Sequence, residues 1–237
     1  MSHPQLPLPL RLPAARRFDS FVAEGNEAVL AEVHLAAAGG RNEVIYLSGP
    51  AGCGKTHLLL AACAEAERLG RRGQYLSLAA WSALDGEAVA LLSGLDLVCL
   101  DDLDAALGDA GVETGLFALL NACRDRGVPV LVAARVALPE LAAGLPDLRS
   151  RLAQGLRLRL QSASDRVRRR ILHRRAEQLG LSMDEAAIEF LFRRFPRDLG
   201  GLMALVERLD RASLAAQRRV TVPFLREALG ADPGRPA

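Results

Sequence analysis

Apolar residues along this chain follow two different rhythms, and the change falls near residue 164. Before it, short unbroken apolar runs alternate with stretches in which apolar residues recur every three or four positions. Val44-Ile45-Tyr46-Leu47 is one such run, and 74–78, 95–100, 128–134 and 156–160 are the others. Runs of that length, without polar alternation, predict strands covered on both faces, hence a parallel sheet between helical layers. Helical periodicity covers 27–38 before Gly39-Gly40, 55–69 before Gly70, and 111–126. From Ser164 the pattern is helical only. Ser164 and Asp165 can cap a helix over 164–179, and Ser182-Met183-Asp184-Glu185 reads as a capping box opening the next. A third helix is expected after Asp198 and a short last one over 223–229. The fold class is therefore α/β: a base with a parallel five-stranded sheet, followed by a small all-helical domain.

That division gives an extended, Pro-rich tail over 1–17, an α/β base over 18–162, a helical domain over 163–230 and a disordered end over 231–237. No apolar run approaches the roughly 18 residues needed to span a bilayer. Pro4, Pro7, Pro9 and Pro13 interrupt the N-terminal apolar residues, so no signal peptide is read there. A cytoplasmic protein is expected. The formal charge of +2 is too small to drive non-specific nucleic-acid binding by itself. Cys53, Cys63, Cys99 and Cys123 form no C-x-x-C pair and read as reduced core thiols. The histidines His3, His34, His57 and His173 have no metal-ligand spacing.

Composition sharpens one position. Of thirty basic residues a single one is lysine, Lys55, within Gly49-Pro50-Ala51-Gly52-Cys53-Gly54-Lys55-Thr56. The spacing G-x-x-x-x-G-K-T is that of a P-loop, in which backbone N–H groups cradle phosphates, the lysine reaches the β/γ oxygens and the threonine hydroxyl ligates Mg²⁺. A compact ammonium fits that slot where a planar guanidinium does not. A P-loop needs a partner acid at the end of a buried strand. Leu97-Val98-Cys99-Leu100-Asp101-Asp102 supplies it, with Asp101 for Mg²⁺ and Asp102 where a water-activating acid is expected. The plainer reading is a strand ending in a solvated Asp-rich turn, since Asp104 follows. Arg151, before the last strand, and Arg197, at a helix start, are candidates for stabilising phosphoryl charge. With twenty-nine arginines in the chain, composition alone does not select them.

A family resemblance does. The ordered segments Phe18-Asp19-Ser20-Phe21-Val22, Leu116-Phe117-Ala118-Leu119-Leu120-Asn121, Ser150-Arg151-Leu152-Ala153-Gln154-Gly155-Leu156 and Pro196-Arg197-Asp198-Leu199-Gly200-Gly201-Leu202 resemble those of the DnaA-related AAA+ ATPases. The likeness runs from the tail to the C-terminus. It implies an AAA+ base with a helical lid, Phe21 and Val22 bordering an adenine pocket, His57 beside the P-loop, Arg151 as an arginine finger and Arg197 as a nucleotide contact from the lid. Within the family the chain is similar to the Hda-like inactivators of the initiator DnaA. It has no counterpart of the initiator's C-terminal DNA-binding domain, and Gln5-Leu6-Pro7-Leu8-Pro9-Leu10 resembles their peptide for the replicative sliding clamp, with Gln5, Leu6, Leu8, Pro9 and Leu10 as contacts. An extended, Pro-stiffened segment suits an apolar groove at low ordering cost; a tail folded on the chain's own base is the alternative.

The resemblance implies ADP or ATP with Mg²⁺ as cofactors, and DnaA and the DNA polymerase III sliding clamp (β subunit) as partners, with a homodimer left open. DNA contact and nucleoid association are expected through the clamp. The implied function is negative regulation of replication initiation, by stimulating hydrolysis of DnaA-bound ATP. One departure concerns the chain's own hydrolysis. The strand ending Val132-Ala133-Ala134-Arg135 has alanines where the family places a small polar sensor, so an activator is expected rather than an efficient ATPase. Competing readings are an AAA+ helicase loader or DNA-dependent motor, a regulator binding DNA through Arg166, Arg168, Arg169, Arg170, Arg174 and Arg175, and a small-molecule kinase.

Overall fold

The computed structural model describes residues 17–80, 85–195, 199–216 and 221–229. The tail residues Gln5, Leu6, Leu8, Pro9 and Leu10, together with Trp81, Arg197 and the segment 231–237, lie outside these. The chain divides into two compact units after Ser162.

In the first unit, five parallel strands, β1 (Val44–Ser48), β2 (Gly73–Ser77), β3 (Leu97–Asp101), β4 (Val130–Ala134) and β5 (Leu156–Arg159), lie in the order β2-β3-β4-β1-β5. Alternate residues of each strand face opposite layers. Val44, Tyr46, Val98, Leu100, Val130 and Val132 face one apolar cluster, and Ile45, Leu47, Leu97, Cys99, Leu131 and Ala133 face the other. Helices α1 (Glu27–Ala37) and α2 (Lys55–Arg68) fill the second cluster through Val33, Ala36, Leu58, Leu59 and Ala62. Helices α3 (Gly86–Leu92), α4 (Leu103–Ala106), α5 (Ala110–Arg126) and α6 (Pro146–Ala153) cover the first. Every residue of β1, β3 and β4 is buried, which is why these strands read as unbroken apolar runs. All four cysteines are free and buried, and burial, then the neighbouring Cys63 thiol, pushes the Cys99 thiol well up, keeping it protonated.

Several boundaries differ from the sequence pattern. Strand β3 begins at Leu97, because the N–H of Leu95 closes the end of α3 on Leu92 O. Strand β4 begins at Val130, because the N–H of Val128 satisfies Cys123 O at the end of α5. The short helices α3, α4 and α6 were not anticipated. Gly155 admits β5 to the sheet: a Cβ there would collide with Val44 O.

The second unit holds α7 (Asp165–Gln178), α8 (Glu185–Arg194), α9 (Leu199–Ala216) and α10 (Val222–Leu229). They close on Leu172, Ile188, Leu191, Phe192, Leu202, Val206, Leu209, Phe224 and Leu225. Ser164 caps α7, accepting from Val167 N at 3.3 Å. The cap of α8 is Asp184, which accepts from Ala187 N at 2.7 Å, and not Ser182; the capping-box reading is corrected by two residues. The arginines of α7 tie the bundle together. Arg169 bonds Glu185 and Glu189 on α8 at 3.1 and 2.5 Å and lies 4.7 Å over the Phe192 ring; Arg175 reaches Glu207 on α9 at 3.2 Å.

One buried carboxylate shapes the base where no sequence signal marked it. Glu113, in the first turn of α5, accepts from the N–H groups of Gly108, Gly144 and Leu145 at 2.9, 3.1 and 2.6 Å. It thereby fixes the chain entering α6. Burial raises its pKa, but the three N–H donors together outweigh this and leave it below the ordinary glutamate value. A depressed folded pKa adds stability that is complete above the unfolded value and disappears as pH falls through the folded one. Glu113→Ala should lower stability by about 2–4 kcal/mol, since three buried donors lose their acceptor. Thermal melts across pH 3–7 should then show the variant approaching the parent as the pH drops below about 4.

Candidate functional site

The P-loop connects β1 to α2 at the C-terminal ends of the strands, where an open parallel sheet places its ligands. Gly54, immediately before α2, has φ +107°, which releases the helix's first-turn N–H groups toward the loop. A Cβ at Gly54 would stand 2.8 Å from Phe21 Cε2, so the aromatic ring of the entry segment rests against the loop backbone itself. Lys55 Nζ lies back along the loop, donating to Gly49 O at 2.5 Å and Pro50 O at 2.9 Å, with Cys53 Sγ at 3.8 Å. These carbonyls hold the ammonium over the loop's concave side, from which a phosphate oxygen can take it.

Across the sheet, Thr56 Oγ1 donates to Asp101 Oδ2 at 2.6 Å. Asp101 is 2% exposed, and its two oxygens also accept from Tyr75 OH at 3.0 Å and from the N–H of Asp102 at 2.9 Å. Three donors and no basic side chain hold this buried carboxylate. Thr56 Oγ1 and Asp101 therefore form a pair of hard oxygen donors at hydrogen-bond distance beside the phosphate cradle. That chemistry fits Mg²⁺, which keeps several waters and takes its remaining ligands from phosphates. No cluster of three or more His, Cys, Asp or Glu side chains suited to a metal occurs among the described residues.

Asp102 has φ 56° and ψ 41°, and is the one non-glycine with positive φ among the described residues. The left-handed turn carries the chain from β3 into α4, and the side chain accepts from Ser77 Oγ at 2.9 Å. Asp104 accepts from the N–H of Arg135 at 2.6 Å, fastening that turn to the end of β4. The Asp-rich turn is thus an anchored structure, with Asp101 turned inward and Asp102 held at the tip of β2. Between the tips of β1 and β3, β4 ends in buried Ala133 and Ala134, whose side chains offer no polar group.

The entry segment is bonded to α2. His57 Nε2 is 3.1 Å from Arg17 O and 3.3 Å from Ser20 Oγ, and its ring lies 5.6 Å from that of Phe21. Val22, next in the chain, is buried. These contacts place Phe21 against the loop and His57 beside Phe21. Sequence reasoning missed Tyr75 and Ser77, which orient the two carboxylates; both lie on β2, whose register sets Ser77 opposite Asp101.

Arg151 stands elsewhere. It lies in the last turn of α6, which leads into the beginning of β5, beside the beginning of β1. Lys55 and Thr56 follow the other end of β1, so one strand length, about 13–17 Å at 3.3 Å per residue, separates the two backbones along the sheet. The guanidinium is half-buried, donates to Gln154 Oε1 at 2.7 Å and lies 5.9 Å from the Phe117 ring centre; no carboxylate neutralises it among the described residues.

Comparison with known proteins follows this geometry. The bacterial DnaA ATPase domain matches residues 12–159, and the lid domain of Hda matches residues 165–229. Domain III of the Thermotoga maritima replication initiation protein DnaA is similar in structure, with a TM-score of 0.77 and 22% identity over 93% of this chain and 98% of that one. AMPPCP-bound DnaA from Aquifex aeolicus gives a TM-score of 0.72 and 22% identity, over 86% and 67% of the two chains. The Thermotoga maritima RuvB Holliday junction branch migration motor gives 0.68 and 21%, over 93% and 72%. At such identities these structures share the fold, a five-stranded parallel sheet of the AAA+ kind.

Gly54→Ala should weaken nucleotide binding by at least tenfold, because the added methyl meets Phe21 and the left-handed φ resists a side chain. Titration with a fluorescent adenine nucleotide measures this, and an unchanged affinity would show that the Phe21 wall plays no part in the pocket.

Proposed function

The chain belongs to the family of the bacterial DnaA ATPase domain, and on that premise we propose that it is a nucleotide-bound negative regulator of replication initiation. Adenine nucleotide, ADP by family resemblance, sits in the P-loop through Lys55 and Thr56, with Phe21, Val22 and His57 beside it and Arg197 contributed by the lid. Mg²⁺ is held through Thr56 and Asp101 and neutralises phosphate charge there. The nucleotide acts as a structural ligand, setting the state in which the molecule docks. Arg151 enters the active site of ATP-bound DnaA and stabilises the charge of the transferring phosphoryl group.

The observation that carries this reading is the position of Arg151. A guanidinium one strand length from its own P-loop, without a carboxylate partner among the described residues, supports a role toward a neighbouring molecule. The alanines ending β4 support a chain that activates hydrolysis elsewhere over one that turns over its own ATP. The Hda-type lid supports the inactivator over the initiator. The tail residues Gln5, Leu6, Leu8, Pro9 and Leu10 bind the DNA-loaded sliding clamp, which raises the effective concentration of regulator near replicated DNA.

Adding the protein, DNA-loaded clamp and ADP to ATP-bound DnaA should accelerate hydrolysis by DnaA. Arg151→Ala should remove that acceleration while nucleotide and clamp binding persist; fingers supplied in trans are worth about 10³–10⁵ in rate in GTPases. Acceleration undiminished by Arg151→Ala would overturn the assignment. Alanine at Gln5, Leu6, Leu8 and Leu10 should abolish capture on immobilised clamp and leave the melting temperature unchanged; capture that persists would remove the tail from the mechanism.

A further inference from the structure

The outer edge of the base is far more basic than the chain as a whole. Arg149, Arg151, Arg157 and Arg159 fall within eleven residues, with no acid between Asp147 and Asp165, although the formal charge of the whole chain is only +2. Among the described residues β5 is an edge strand, bonded only to β1. Its Leu156 and Leu158 turn to the cluster shared with α1 and α2, while Arg157 and Arg159 are exposed on the opposite face. Arg157 pairs with Tyr46, whose side chain belongs to the cluster that Leu148 and Leu152 of α6 fill, so both arginines lie on the α6 side of the sheet. Arg149 on α6 is exposed as well. None of the three makes an ion pair among the described residues, in contrast to Arg41, Arg68, Arg169 and Arg175, which all meet glutamates.

We propose that this edge, Arg157 and Arg159 on β5 with Arg149 on α6, is a contact surface for the sugar-phosphate backbone of duplex DNA. Alternate residues of a strand lie about 6.6 Å apart on one face, of the order of the separation between neighbouring phosphates. Each guanidinium fork matches two phosphate oxygens. Exposed Ser150 and Gln154 of the α6 segment add neutral polar groups, and the outward N–H groups of the edge strand add donors. An acidic protein surface would also attract arginines, but exposed guanidiniums with neutral polar neighbours and no apolar anchor fit a phosphate backbone better. No aromatic residue occurs between 146 and 164, so bases have nothing to stack on, which selects duplex over single strand. The lid helix α7 is the weaker candidate, because Arg168, Arg169 and Arg175 are already held by Asp165, Glu185, Glu189 and Glu207. The contact is independent of sequence and of the Arg151 finger.

The full chain with ADP is titrated against a labelled 20-base-pair duplex and a single strand of the same length, at 50 and 150 mM salt. Arg157→Ala with Arg159→Ala should weaken duplex binding about tenfold or more and lower the salt slope by about two phosphate contacts. Lysine at both positions should restore most of the affinity, while Arg174→Ala on the lid should change little and ADP binding should stay constant throughout. The proposal fails if the parent chain does not bind duplex at 50 mM salt, or if the double alanine variant binds as the parent does. It fails equally if single strand is preferred. If the alanine variant self-associates in light scattering at undiminished duplex affinity, the arginines only guard an edge strand against pairing. If duplex affinity holds while stimulation of DnaA falls, the surface belongs to a protein partner.

Discussion

Thr56 and Asp101 come from different strand ends, with a third strand lying between them, yet their oxygens meet at 2.6 Å. Bringing them together requires β1 and β3 to run the same way, so that the loop after β1 and the acid ending β3 emerge on one side. It also requires β4 to finish in side chains small enough to leave the gap clear, as Ala133 and Ala134 do. A buried carboxylate without donors would cost several kcal/mol. Here Thr56, Tyr75 and the N–H of Asp102 supply them, so the buried carboxyl is held by three donors, with no basic partner among the described residues. The left-handed turn at Asp102 and the grip of Asp104 on Arg135 are both consequences of ending β3 on that inward carboxylate.

The same parallel sheet sets the two ends of the base to different tasks. The P-loop lies at the C-terminal tips of the strands, and Arg151 stands by the start of β5. A molecule with a cradle at one end and a guanidinium at the other is suited to head-to-tail contact, in which unlike surfaces meet. Glu113 makes the second end definite. By gathering the N–H groups of Gly108, Gly144 and Leu145 it joins the start of α5 to the chain entering α6, and Phe117 of α5 then lies under the Arg151 guanidinium. The Phe117 ring and the Gln154 amide together orient the arginine.

What was legible in the sequence follows from where the information sits. Val44 to Leu47, Leu97 to Leu100 and Val130 to Ala134 are buried on both faces, and uninterrupted apolar runs encode that locally. The pairing of Thr56 with Asp101 was legible because the P-loop spacing and the acid ending an apolar run fix residue type over a few positions. Tyr75, Ser77 and Glu113 were not, since each acts on a partner between 5 and 32 residues away through a register that only the folded sheet defines. Helix α6 escaped notice because eight residues opened by Pro146 offer only Leu148 and Leu152 as buried positions, too few for a periodic signal. At α8, two acceptors two residues apart competed for the cap; Asp184 takes it because its backbone is extended at the position from which Ala187 N can be reached.

Arginine illustrates how surroundings, and not residue type, decide the role of a charge. With twenty-nine copies in the chain, identity carries little information, and the distance to a carboxylate carries most of it. On α7, glutamates of α8 and α9 lie within reach, and Arg169 and Arg175 serve to join helices. At the end of α6 the available partner is the neutral amide of Gln154, which orients Arg151 without cancelling its charge. On β5 the strand alternation pushes Arg157 and Arg159 outward on a face without acids in the adjoining sequence, and their field extends into solvent. Net charge near zero therefore conceals different surroundings, with Arg169 and Arg175 paired to glutamates in the lid and Arg149, Arg157 and Arg159 without an ion pair among the described residues of the base. A test that treats the arginines as interchangeable would average their surroundings away, whereas substitution chosen by carboxylate distance separates helix cohesion from the proposed phosphoryl stabilisation and the proposed backbone contact.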